Sequence, residues 1–117
     1  MVLERNHFEA QVKETTEAVT VFVRGELDLA VAPQFRSVLE PLIPSAKPLV
    51  LNLSELTYID STGMGIIIFI LKARAEGKAG FTLDEVPAKI KKLFDLTGIS
   101  KFLTVRNSTN LAKADGA

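Results

Sequence analysis

Val19, Val21 and Val23 alternate with Thr20, Phe22 and Arg24, and Gly25 closes the run. This period of two in β-branched residues predicts a strand with one face toward a core. Phe8 to Val12 is a weaker segment of the same kind, and the polar Lys13 to Glu17 stretch between them suits a hairpin, so the two are predicted to pair antiparallel. From Val31 the spacing changes: Val31, Phe35, Val38, Leu39, Leu42 and Ile43 fall on one helical face, with Pro33 tolerated in the first turn. Pro41 removes a backbone donor and clashes with the preceding turn, which predicts that this helix ends or kinks near Glu40. Pro44 and Pro48 then mark a loop.

Leu49 to Leu53 is almost uniformly apolar, as in a strand buried on both faces of a sheet covered by helices. Ile66 to Leu71 is equally apolar, and periodicity alone does not separate strand from helix there. Length does: good helix formers and cations continue to Glu76, and Gly77 supplies a stop, so Thr62 to Glu76 is predicted as a helix. Gly80 to Leu83 resumes a strand pattern. Pro87 opens a segment with Ile90, Leu93, Phe94 and Thr97 on one side and Lys89, Lys91 and Lys92 on another, ended by Gly98. A short strand around Leu103 to Val105 and a helical turn after Ser108 complete the chain, with residues 114–117 expected to fray. The order β β α β α β α β predicts an α/β fold: a mixed four- to five-stranded sheet with helices packed on it. We expect one domain over residues 1–117, its core spanning about residues 7–106.

The 117 residues suffice for one core without staples, in keeping with the absence of cysteine, which excludes disulfides, thiolate zinc sites and a cysteine nucleophile. Fourteen basic residues balance fourteen acidic ones, so no positive field favours nucleic acid. The longest apolar stretch, Gly63 to Leu71, is under half the ~20 residues of a membrane-spanning helix, so no membrane insertion is expected. The start of the chain lacks the order of a signal peptide, and a cytoplasmic location is expected.

Candidate chemistry concentrates in Asp60 Ser61 Thr62 Gly63 Met64 Gly65, where a strand passes into a helix. Ser61 is expected to cap that helix and to be exposed. A hydroxyl there accepts a phosphate with little disturbance, because free N–H groups and the positive dipole end favour an anion. Competing chemistries fare worse. A serine triad would need His7, the single histidine, and Ile59 stands where a G-x-S-x-G elbow needs glycine. Gly63 Met64 Gly65 is a fragment of a dinucleotide fingerprint with Ile68 in place of the last glycine, and no phosphate-binding G-x-x-x-x-G-K-[ST] loop exists. Asp28 and Asp60 lack the adjacent acidic pair of a magnesium-dependent receiver. No enzyme activity, cofactor or metal is expected.

Three segments in order, Gly25 Glu26 Leu27 Asp28, then Asp60 Ser61 Thr62 Gly63 Met64 Gly65, then Leu93 Phe94 Asp95 Leu96 Thr97 Gly98 Ile99, resemble the STAS domain, and most of all its bacterial anti-sigma-factor antagonist branch. The resemblance implies the STAS fold and a partner switch. In that branch the antagonist binds an anti-sigma factor that is also an ATP-binding serine kinase and frees the sigma factor. The kinase phosphorylates the serine after the acid, here Ser61, and a serine phosphatase restores the active form. Asp28 and Asp60 match the family's acids near that serine, Thr62 and Gly63 surround it, and Met64 stands where the family usually carries leucine. Ser61, Gly65, Phe69 and Lys72, one stripe of the helix, are expected to meet the partner, with Gly63 and Gly65 permitting the turn or a close approach. The same fold also serves partner-switching circuits outside sigma control and lipid transporter complexes.

Overall fold

The computed structural model describes residues 8–75 and 80–107. His7, the expected stop at Glu76 and Gly77, the turn after Ser108 and the tail at 114–117 lie outside the described residues. Strands β1 (Glu9–Glu14) and β2 (Val19–Leu27) pair antiparallel, with Val12 opposite Val21. Thr15 makes the turn between them, its Oγ1 accepting the N–H groups of Glu17 and Ala18 at 3.1 and 3.2 Å. Strands β3 (Leu49–Ile59), β4 (Phe81–Asp84) and β5 (Thr104–Arg106) then add in parallel, giving the order β1-β2-β3-β4-β5. Helices α1 (Ala32–Leu39), α2 (Ser61–Arg74) and α3 (Ala88–Thr97) are the crossovers. As Pro41 requires, α1 stops at Leu39 and the chain passes into a 3₁₀ turn at Glu40–Leu42. Gly98 closes α3 in the left-handed conformation, φ 83°.

A sheet wound in one direction by right-handed crossovers carries all its helices on one face. The buried residues of α1, α2 and α3 accordingly join Val21, Leu51 and Leu83 in one core. The expectation of a sheet covered by helices on both faces is therefore corrected. On the opposite face Gln11, Phe22 and Asn52 lie side by side on β1, β2 and β3, and no helix covers them among the described residues. Val50 is buried there yet stands outside the continuous core, which is why a uniformly apolar strand misled. No described helix is long and apolar enough to cross a membrane.

β3 also continues past Leu53 to Ile59, beyond its apolar run. Its second half pairs with β2 through register shifts around Gly25, whose φ of 91° is open to glycine at little cost. Thr57 Oγ1 donates to the Gly25 carbonyl at 3.1 Å and holds the bulge. The result is that β2 and β3 finish together, Leu27 opposite Ile59.

Candidate functional site

Because those strands end in register, the residues that follow each, Asp28 and Asp60, emerge on the same edge of the sheet, at the carboxyl ends where α/β folds place their sites. Asp60 sits in extended backbone, φ −109° and ψ −175°, and is the N-cap of α2. Its Oδ1 accepts the Gly63 N–H at 3.0 Å and its Oδ2 accepts the Leu29 N–H at 3.1 Å. Its own N–H donates to the Leu27 carbonyl at 3.2 Å. One carboxylate thus starts the helix and ties it to the loop after β2. Asp28 caps the 3₁₀ turn Leu29–Val31 in that loop by accepting the Ala30 N–H at 3.0 Å.

Ser61 is consequently not the cap that the sequence predicts. It is the first helical residue, it is exposed, and its hydroxyl takes no hydrogen bond among the described residues. The physical reason is reach: a carboxylate has two acceptor atoms and satisfies the helix start and the neighbouring loop at once, which a single hydroxyl does not. The N–H groups of Ser61 and Thr62 keep no partner among the described residues, so the positive end of α2 opens beside the Ser61 hydroxyl. Thr62 is half-buried.

The two glycines of the motif part company. Neither has a positive φ, so neither is there to permit a turn. Gly63 is buried against the strand ends: a Cβ built on it would stand 2.8 Å from Leu27 Cγ and 2.9 Å from Ile59 Cγ1 and the Leu27 carbonyl oxygen. Its missing side chain serves the packing of α2 on the sheet. Gly65 faces solvent with nothing within 4 Å of such a Cβ.

Ser61, Gly65, Phe69 and Lys72 all lie on the exposed side of α2, while Ile66, Ile67 and Ile70 bury the other. Phe69 remains 42% exposed although the Arg36 guanidinium of α1 rests 4.8 Å from its ring centroid. Sequence reasoning missed Leu29, 69% exposed on the loop that Asp60 holds, which adds an apolar residue to the same edge. Its only signal was an apolar residue directly after a strand-ending aspartate.

The arrangement offers an anion-tolerant hydroxyl beside an exposed apolar stripe, and among the described residues no group of His, Asp or Glu is placed to hold a metal. The STAS domain family profile matches residues 9–112. The anti-sigma-B factor antagonist of Staphylococcus epidermidis is 34% identical over 92 residues, 78% of this chain and 85% of that protein. The fold is similar to a crystal structure of an anti-sigma factor antagonist from Mycobacterium paratuberculosis, with TM-score 0.77, 21% identity and 85% of each chain covered. It is also similar to the Bacillus cell fate determinant SpoIIAA in the phosphorylated form, with TM-score 0.66, 19% identity, and 91% of this chain and 98% of that chain covered.

Proposed function

The chain belongs to the STAS domain family, and from that premise we propose that it is an anti-sigma-factor antagonist switched by phosphorylation of Ser61. The unphosphorylated form binds an anti-sigma factor that is also a serine kinase and releases the sigma factor held by it. Transfer of phosphate to Ser61 ends the interaction, and a serine phosphatase reverses it. The role is regulatory, exerted by binding rather than catalysis. The observation that carries this reading is the free, exposed hydroxyl of Ser61 at the first position of α2, in front of N–H groups that Asp60 leaves open.

The unmodified stripe of Ser61, Gly65, Phe69 and Lys72 supplies a partner surface that loses its water on binding. A phosphate adds about −1.5 to −2 charges beside Asp60, with Asp28 on the same edge. At an assumed separation of about 6 Å, one pair of like unit charges costs ~3 kcal/mol at an effective dielectric of about 20 and ~0.7 kcal/mol in water. A phosphate of about −1.5 charges therefore loses ~3 kcal/mol when the partner displaces that water, on the order of a hundredfold in affinity. The isolated domain tolerates the same phosphate because the open N–H groups of Ser61 and Thr62 can donate to its oxygens. The switch is therefore local repulsion and not unfolding.

The test is a titration of the purified anti-sigma factor in Mg-ADP. Wild type and Ser61→Ala are expected to bind, Ser61→Asp to bind about a hundredfold more weakly with unchanged circular dichroism, and ATP to label wild type but not Ser61→Ala. Equal binding of the Ala and Asp variants, or labelling that survives Ser61→Ala, removes the proposal.

A further inference from the structure

The far end of α2 meets α3 and the 3₁₀ turn Ile99–Phe102 at a corner that carries an open groove of about 470 Å³. Ile68 and Leu71 of α2 form one wall, and Ile99 and Phe102 the other, with Lys72 beside them. Gly98 turns the chain sharply out of α3, and Phe102 is left 68% exposed. Ile99 belongs to the core and Ile68 and Leu71 pack against it, but Phe102 is left outside it, and an exposed aromatic beside apolar walls marks an interaction site.

Charge narrows the occupant. Lys72 lines the groove and Lys101 precedes Phe102, and neither has an ion pair among the described residues. No acid lines it. The acid closest in sequence, Asp95, is engaged by Ser100 at 2.6 Å and Lys91 at 3.4 Å, and the Ser100 hydrogen bond holds its carboxyl below the usual carboxylate range. A second copy seated here would bring the lysines of both copies together. A small amphiphile would be left half in water, where ligand pockets enclose most of their guest. An open groove with large apolar walls is suited instead to an amphipathic helix.

We propose, resting on the function above, that this groove receives a short helical segment of the anti-sigma factor bearing an apolar anchor flanked by carboxylates. Ser61 and Leu71 are ten residues apart on one helix, or ~15 Å along its axis, beyond the screening length of ~8 Å at physiological salt. A phosphate on Ser61 thus leaves the groove unaffected. The interface has a switched end and a constant end, and the phosphorylated chain keeps the second.

The experiment is calorimetric titration of the anti-sigma factor, in Mg-ADP, with wild type, Phe102→Ser, Lys101→Glu, Ser61→Asp and the double variant Ser61→Asp/Phe102→Ser. Phe102→Ser is expected to weaken binding about tenfold or more, Lys101→Glu severalfold with the larger loss at low salt, and the losses of the double variant to multiply. Lys101→Glu is a purely exposed change and keeps the test valid if Phe102→Ser folds poorly. Wild-type affinity in both groove variants overturns the groove and leaves Ser61 standing. Loss in both with none in Ser61→Asp supports the groove and overturns the phosphorylation switch. No binding by wild type overturns both. Self-association abolished by Phe102→Ser makes the occupant a second copy and overturns the inference.

Discussion

The two ends of α2 are built on opposite plans. At its start, one carboxylate serves two N–H groups, and the Ser61 hydroxyl and its open N–H groups face solvent uncommitted. At its end, Arg74 is 2% exposed and its guanidinium is wrapped in backbone. Nη1 donates to the carbonyls of Ile43 at 2.9 Å and Ser45 at 2.6 Å, and Nη2 to those of Lys47 at 2.7 Å and Gly80 at 2.8 Å. Among the described residues no carboxylate is its partner and Nε is buried with none, and burial lowers the arginine's affinity for its proton. Four charge-assisted bonds offset that desolvation and join α2 to the loop after α1 and to the start of β4. A helix fixed in this way at its far end is held on the sheet independently of the charge at its near end.

The largest effect that tests this contrast is at Arg74. Arg74→Met leaves the carbonyls of Ile43, Ser45 and Lys47 without a donor, while that of Gly80 keeps the Leu49 N–H at 3.1 Å, and an expected loss of about 3–5 kcal/mol in urea unfolding follows. Arg74→Lys is expected to recover only part of it, because an ammonium has three donors at one point where the guanidinium reaches four acceptors in a plane. A loss under about 1 kcal/mol for Arg74→Met would mean that water satisfies those carbonyls and that the end is not fixed by the arginine.

A smaller effect changes sign over two residues. Gly63→Ala drives a methyl to 2.8 Å from Leu27 Cγ and 2.9 Å from the Leu27 carbonyl oxygen. Part of that contact is backbone and does not yield, so a loss of about 1–3 kcal/mol is expected. Gly65→Ala meets nothing within 4 Å. It is expected to stabilise α2 by about 0.5–1 kcal/mol through helix propensity alone. Thermal melts of the two variants side by side decide it, and shifts of the same sign would break the assignment of one glycine to packing and the other to the surface.

The same contrast explains what was legible in the sequence. The alternation of valines in β2, the helical spacing from Val31, the stop at Pro41 and the exposed stripe of α2 all report local rules of burial and backbone, and each is found where its pattern lies. Arg74 was unreadable because a cation in a last turn ordinarily faces water and complements the helix dipole, and only the tertiary position of residues 43–47 and Gly80 buries it. The length of β3 was hidden by its polar second half, which pairs with β2 through two register shifts that put an extra residue on β3 each time, the second beside Gly25. The bare face of the sheet follows from the order of the strands, which a uniformly apolar run does not encode.

The cap was misread for a related reason, and it gives the smallest and most discriminating prediction. Asp and Ser are equally good N-caps, and here they are adjacent, so sequence alone does not choose between them. The contact that chooses is nonlocal, from Leu29 N–H to Asp60 Oδ2. Asp60→Ala is expected to cost about 1–2 kcal/mol, from the lost cap and the released loop. Ser61→Ala is expected to lie within about 0.5 kcal/mol of wild type, as for a surface position that supports nothing. A cost of ~1 kcal/mol for Ser61→Ala with little for Asp60→Ala would restore the serine as cap, commit its hydroxyl to the helix, and remove the free acceptor on which the phosphorylation switch depends.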